Sequence, residues 1–433
     1  MRRDDVYGST EYVADRRGFL GGLGGSTLAA TAAASGGLGG LLIGNPLMAD
    51  QIRGRSKRVL NIFLHGGVSQ LETWDPKPGT DTGGPFRAIP TSVPGTHVCE
   101  LLPHTAKQMH HLSLVRSLNT NNNDHGRGQE EMTTGHKRIP GTEYPHLGAV
   151  TARLLTPQDF PLPGHVLIRG GGRGSSPAAY LGPKYASVVM NDGKPPEYTQ
   201  RPSGLTPESD RRRNRLRSQW DQSFTRRRRT ADTDAYTFSY DQAQDLLSQR
   251  TVFDLQRESE TDRQRYGTSE FGQHCLLARR LLEHDIPFVQ VNHSNYDTHH
   301  ENFDFHIEQL GEFDQPFATL IADLHDRGLL EDTLVCVMSE FGRTPKINSR
   351  YGRDHWGKSW SVALAGCGVQ HGAVIGGTNE NGTEVIDREV DHGHLFHTIL
   401  QAVGIDSTAE FEIAGRTFPV ADPAKGPIRE LLA

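Results

Sequence analysis

Two apolar rhythms alternate along this chain. Short unbroken runs, rich in β-branched residues, occur at Arg58–Leu64 (RVLNIFL), Leu112–Arg116 (LSLVR), Val166–Ile168, Pro287–Val291 (PFVQV), Thr333–Met338 (TLVCVM) and Ser361–Ala365 (SVALA). A run of that length with no polar face predicts a strand covered on both sides, as in a parallel sheet. Between the runs lie Gln129–Thr134, Tyr144–Leu155, Phe271–Glu283, Phe303–Asp326 and Gly393–Val403, which predict helices; Phe271–Glu283 shows the spacing best, with Cys275, Leu276, Leu277, Leu281 and Leu282 on one side. Strand–helix alternation predicts an α/β fold, a mostly parallel sheet with helices on both faces.

Two stretches break the rhythm. Near the N-terminus, Asp15-Arg16-Arg17-Gly18-Phe19-Leu20 carries a twin arginine before an apolar pair, and a Gly/Ala/Leu segment follows from Gly21 to Ile43. That segment is too rich in small residues for a membrane span and suits an export leader of the twin-arginine (Tat) kind, with cleavage expected after about Ala49. The expected location is the periplasm, cell envelope or exterior. The second break, 191–234, is Pro-rich and then Arg-rich, with Arg211 to Arg213, Arg215, Arg217 and Arg226 to Arg229. It predicts a polar helical insertion whose charges are solvated beside Asp and Glu neighbours, with an anion-binding arm as the competing reading. Asp234–Glu260 is expected to form a second helix of the insertion. The domain plan is therefore a leader, 1–49, and one domain, 50–433, with the insertion at about 191–234.

Composition removes several function classes. The net charge of −6 over 433 residues argues against a nucleic-acid binder. The four cysteines, Cys99, Cys275, Cys336 and Cys367, contain no CxxC spacing, which excludes a zinc finger, and they are too few for a disulfide scaffold. No stretch of the mature chain is apolar enough to span a membrane. Histidine, at 21 residues, is abundant and clustered.

Those clusters sit at strand exits, where open α/β sheets bind ligands. The first strand delivers His65-Gly66-Gly67; the fourth delivers Asn292 to Phe303, with Asp297, His299 and His300; the fifth delivers Ser339-Glu340-Phe341-Gly342-Arg343-Thr344-Pro345, followed by Gly352-Arg353-Asp354-His355-Trp356. Imidazole and carboxylate together are the ligands of zinc and related divalent ions. A further polar loop, Asn121 to Gly135, opens a helix near His125.

The chain resembles the bacterial secreted family catalogued as domain of unknown function 1501, itself similar to the alkaline phosphatase and sulfatase superfamily. FLHGG (Phe63 to Gly67), TWDPKP (Thr73 to Pro78), LLARRLLEHDIPFVQV (Leu276 to Val291), YDTHHENF (Tyr296 to Phe303), SEFGRTP (Ser339 to Pro345) and GRDHW (Gly352 to Trp356) carry the resemblance. It implies an alkaline-phosphatase-like three-layer α/β/α sandwich. It also implies departures from the superfamily pattern. His65 stands where an Asp is usual, and His125 occupies the nucleophile's spacing ten residues before Gly135. Asp297 is followed by His299 and His300 earlier than expected, and Glu340-Phe341 replaces an Asp-His pair.

The expected metal ligands are His65, Asp297, His299, Glu340 and His355, all converging at one sheet edge, around a divalent ion such as zinc or calcium. Asp354 is expected to orient His355 from behind. His125 is the candidate nucleophile, general acid or ligand, and Arg343 the candidate clamp for a sulfate or phosphate oxygen. Ser69 is a weaker nucleophile candidate, and Trp74 and Trp356 are candidate sugar platforms. The implied function is an exported metal-dependent hydrolase of sulfate or phosphate esters, on small molecules or polysaccharide. The competing readings are a catalytically degenerate envelope protein that binds a glycan or a partner protein and, more weakly, a metal-dependent isomerase or mutase.

Overall fold

A computed structural model describes residues 56–169, 176–191, 203–225, 240 and 242–433. The expected leader and the arginines at 226–229 lie outside the described residues. The chain divides into two compact units, one holding Arg201–Asp241 and the other Arg55–Gln200 with Gln242–Ala433. In the first, the helix Pro207–Thr225 carries its own ion pairs, Arg213 with Asp210 at 3.4 Å and Arg217 with Asp221 at 2.9 Å, and Arg217 lies over the Tyr240 ring.

The second unit is built on eight strands: β1 (Arg58–Leu64), β2 (Leu112–Leu118), β3 (His165–Arg169), β4 (Val188–Asn191), β5 (Phe288–His293), β6 (Thr333–Met338), β7 (Trp360–Gly366) and β8 (Val374–Ile375). Their order across the sheet is β8-β2-β7-β6-β1-β5-β3-β4. The pairs β1/β5, β1/β6, β3/β5, β3/β4 and β2/β8 are parallel, whereas β7 runs antiparallel to both β6 and β2. Two antiparallel contacts in a row restore the direction, so β2 points the same way as β1.

All seven side chains of β1 are buried, which explains its lack of polar alternation. Leu60, Ile62 and Leu64 face one core and Val59 and Phe63 the other, so the sheet separates two apolar layers. The first is closed by helices Glu270–Glu283 and Asn302–Asp326, through residues such as Leu276, Leu281, Phe313 and Leu320. The second is closed by His125–Thr134 (α1), Leu147–Leu155 and His392–Ala402, through Met132, Val150 and Ile399. This is the expected three-layer α/β sandwich with a mostly parallel sheet.

Three expectations are corrected. The edge strands β4 and β8 were not predicted; they span four and two residues, too short to show a run. β7 occupies the predicted SVALA run but is antiparallel. Asp234–Glu260 is not one helix: among its described residues a helical stretch ends at 248, and two 3-10 turns, Arg250–Phe253 and Leu255–Arg257, follow.

The helix His392–Ala402 shows how local chemistry fixes an element end. Asp391 accepts from the His394 backbone N–H at 3.2 Å, the His394 ring reaches back to the Asp391 N–H, and Lys425 Nζ lies 2.6 Å from the same carboxylate. Burial pushes the Asp391 carboxyl up, but the hydrogen bonds from Lys425 and His394 outweigh it and hold it at about 2. Asp391→Ala is expected to cost about 1 kcal/mol, measurable by denaturant unfolding. Because the folded value lies below the ordinary value of about 3.9, this stabilisation is complete above that pH and is lost as pH falls through about 2.

Candidate metal centre

The carboxyl ends of β1, β2, β5 and β6 share one edge of the sheet, and their exits supply the site. β1 hands over to His65, Gly66 and Gly67, with positive φ of 111° and 83° at the two glycines. A Cβ on Gly66 would stand 2.5 Å from the Asp297 backbone nitrogen, and one on Gly67 2.6 Å from the Phe341 ring. The turn is therefore glycine because two other exits press against it. β5 leads to Asp297 and His299, and β6 to Glu340 and Phe341. β2 leads through 119–124 to α1, where Asp124 caps the helix by accepting from Arg127 N–H and His125 is the first helical residue. His355 reaches the same edge by the opposite logic. It precedes β7, whose reversed direction brings its start to the others' ends, and a short ribbon pairs His355 with Arg343.

Three imidazole Nε2 atoms surround the carboxylate of Asp297. His299 Nε2 and His355 Nε2 each lie 3.2 Å from Oδ1, and His125 Nε2 lies 3.3 Å from Oδ2. His299 and His355 face each other at 2.9 Å between their Nε2 atoms. The ligand atoms of His125, Asp297 and His355 all fall within 4.8 Å of one another. Every Nδ1 points outward to a fixed partner: His125 to Glu340 Oε1 at 2.8 Å, His299 to Asp354 Oδ1 at 2.7 Å, and His355 to the Asn123 carbonyl at 2.8 Å. Histidines that bind metals are held this way, with one nitrogen tied to an outer acceptor and the other presented to the ion. His125 Nε2 is enclosed and its contact to the Asp297 oxygen at 3.3 Å falls short of a well-formed hydrogen bond, so a metal between the two would satisfy both. The donor set fits a divalent ion.

The electrostatics agree. Burial pushes the Asp297 carboxyl up, but Arg343, 2.6 Å away, and His355 pull it down to about 2, so it is ionised at any ordinary pH. Glu340 is almost fully buried; burial raises it, yet His125, His65 and the Gly66 N–H outweigh that, and it too stays charged. The hydrogen bond to Glu340 raises His125, with burial opposing, while burial lowers His355. The side chains of Asp297 and His299 remain 48% and 33% exposed, so the pocket side of the carboxylate is open to solvent.

The predicted residues thus separate. Asp297, His299 and His355 meet, and His125 joins them as a donor. Glu340 stands behind His125 and also accepts from Gly66 N–H and Ser339 O–H, a supporting position that its spacing in the sequence did not reveal. His65 packs against Phe63 at 4.5 Å between ring centres, its Nε2 buried without a partner, and it is outside the group of ligand atoms. Asp354 holds His299, not His355 as expected. Arg343 is fully buried, and its fork is closed by the carbonyls of Gly67, Gly66 and Arg353 and by Asp297; it does not present the open clamp expected of it. Trp74 and Ser69 are buried, and Trp356 is fixed by its Nε1–H to Ser359 Oγ at 2.9 Å. All four cysteines are buried and free. Two contributors went unnoticed in the sequence. Asn123 holds His355 and the Gly357 N–H, and Phe341 forms a wall whose ring lies 4.9 Å from His125 and 4.6 Å from His355. The Asn121–Asn123 run was the available signal for the first, and the replacement of an Asp-His pair by Glu340-Phe341 marked the position of the second without revealing its role as a wall.

A family described as "Protein of unknown function (DUF1501)" matches residues 56–432. No curated protein matches the sequence. Among solved structures, the chain is similar to a protein in the alkaline phosphatase superfamily from Vibrio parahaemolyticus, at 12% identity over 81% of this chain and 67% of that one, TM-score 0.39. It is also similar to the PsFucS1 sulfatase from Pseudoalteromonas sp., at 12% identity over 83% and 70%, TM-score 0.38. A third is the phosphonate monoester hydrolase SpPMH from Silicibacter pomeroyi, at 13% identity over 81% and 74%, TM-score 0.38.

Proposed function

Since this chain belongs to the DUF1501 family of proteins of unknown function, and its sheet edge carries a histidine–carboxylate centre, we propose that it is an exported, metal-dependent hydrolase of sulfate or phosphate esters, with polysaccharide esters among its substrates. The observation that supports this best is the arrangement of three inward Nε2 atoms around one ionised, half-exposed carboxylate. His125, Asp297 and His355 would hold the ion, with His299 beside them as a fourth donor. Three nitrogens and one oxygen suit zinc far better than calcium, which takes six to eight oxygens. A zinc ion bound there supplies Lewis-acid polarisation of an ester oxygen and a water of lowered pKa.

The protein's own groups set the geometry. Glu340 fixes the His125 ring, Asp354 the His299 ring and the Asn123 carbonyl the His355 ring, so each presents a lone pair inward without losing freedom on binding. Arg343 holds Asp297 from behind and keeps it charged. The twin arginine at Arg16-Arg17 supports export. One observation favours the second reading, a non-catalytic glycan- or protein-binding envelope protein: the closed fork of Arg343 leaves no guanidinium open to an ester anion.

Both readings meet in one experiment. The mature protein is dialysed against zinc, analysed for metal, and assayed on p-nitrophenyl sulfate, p-nitrophenyl phosphate and a sulfated polysaccharide. Hydrolysis that a chelator abolishes and zinc restores is the expected result. Less than about a tenth of an ion per chain with no turnover would overturn the hydrolase in favour of the binding protein.

A further inference from the structure

At the opposite edge of the same sheet, four more imidazoles gather. His110 and His111 end the turn that enters β2, His325 lies one residue before the end of the helix Asn302–Asp326, and His371 lies in the turn that enters β8. The ring centre of His111 is 4.0 Å from that of His110, 4.4 Å from His325 and 6.4 Å from His371. These residues come from three separate elements, and the backbone beneath them is fixed, with Gly372 N–H donating to the Leu112 carbonyl at 2.9 Å. None belongs to the centre at the carboxyl edge. The length of β2 alone, seven residues, puts roughly 20 Å between the two.

We propose that His110, His111, His325 and His371 form a second site, for a transition-metal ion that prefers imidazole, zinc or copper(II). Two imidazoles on one tetrahedral ion, each bound at about 2.0–2.1 Å, have ring centres about 5 Å apart. The observed separations, 4.0 to 6.4 Å, bracket that value. Two of the rings are already tied at Nδ1: His110 to Ser92 Oγ at 3.0 Å and His325 to Asp326 Oδ1 at 3.1 Å. Their Nε2 atoms are thereby left as the donors, the orientation that outer partners impose on metal-binding histidines. The ligand atoms do not meet within 4.8 Å as those of His125, Asp297 and His355 do. His110, His325 and His371 are exposed, however, and exposed side chains change rotamer on the picosecond-to-nanosecond scale, so an ion draws them in with no movement of the backbone. Nitrogen donors on this scale select zinc and copper over magnesium and calcium. An ion there would tie the start of β2, the start of β8 and the end of the helix Asn302–Asp326, and would stabilise the fold in proportion to its occupancy.

The test is a zinc titration of the full chain by calorimetry, with calcium as the control ion. Wild type should take up one more zinc per chain than the double variant His325→Ala/His371→Ala, while calcium gives no heat at this site in either protein. His111→Asn, a half-buried position changed conservatively, should also lose that ion. Ester hydrolysis and the ion bound by His125, Asp297 and His355 should be unchanged in both variants, which keeps this result independent of the function proposed above. Equal zinc stoichiometry in wild type and the double variant would overturn the site, as would a calcium signal that the double variant abolishes.

Discussion

On the function proposed above, His355→Ala should leave the carboxyl-edge centre without its ion and without measurable ester hydrolysis, in a protein that still folds. The expected loss of activity is larger than the roughly 10- to 100-fold that an outer partner of a ligand costs, because a donor itself is removed. His355 is accompanied by His125 at 4.3 Å and His299 at 4.6 Å between ring centres, so its removal opens space beside solvent and breaks no apolar core. Metal analysis and turnover should fall together, while the thermal transition of the metal-free protein stays close to that of metal-free wild type. His65→Ala is the informative companion. Its ring lies outside the group of ligand atoms, so the ion and most of the activity should survive. If His65→Ala loses the ion and His355→Ala keeps it, the assignment of donors is reversed.

Glu72→Ala is expected to be the most destabilising single change, at about 3–5 kcal/mol. Glu72 and Arg353 are both fully buried and share a salt bridge at 2.8 Å, with a second contact from Arg353 Nε at 3.0 Å. Removing the carboxylate strands a guanidinium in a place water cannot reach. The remaining Arg353 bonds go to backbone carbonyls of Thr82, Thr344 and Pro345, which position the charge but do not neutralise it. A double variant, Glu72→Leu/Arg353→Met, should recover much of the loss, because the uncompensated charge is then gone. Denaturant unfolding of the three proteins decides the matter; equal losses in the single and double variants would show that packing, not charge, is at stake. The effect should also reach the metal centre. The Arg353 carbonyl accepts from Arg343 Nη1, and Asp354 and His355 follow it directly in the chain.

The two variants mark what the sequence revealed and what it did not. Strands covered on both faces are visible as apolar runs, which is why β1, β2, β3, β5 and β6 fall where the runs predict. The run at 361–365 was equally visible, but an apolar run has no direction, so the reversal of β7 was not. His355 was expected at this edge because it follows the exit of β6; what the sequence did not show is that the same segment then enters the antiparallel β7, which keeps it at that edge. Asp297 and His299 could be read because a strand exit names its own edge. The division of labour between His125 and Glu340 could not, since it depends on a 2.8 Å contact between residues far apart in sequence. Arg343 shows the same limit. Its motif gave the residue, but only the carbonyls of Gly66 and Gly67 folded over it show that the guanidinium faces inward.

The place of β1 in the sheet has a consequence for biosynthesis. This seven-residue apolar segment is made early, yet both of its neighbours, β5 and β6, are encoded far downstream; Asn61 and Gln290, which bond across the β1/β5 pair, are 229 positions apart. At elongation rates of about 5–20 residues per second, the ribosome needs roughly 10–45 s to deliver the partner. For that interval a nascent chain carries RVLNIFL with neither edge satisfied, a sticky intermediate that holdase chaperones are suited to shield. The centre inherits this timing. An ion held as proposed could not be seated until translation has passed His355, the last of its donors in the chain.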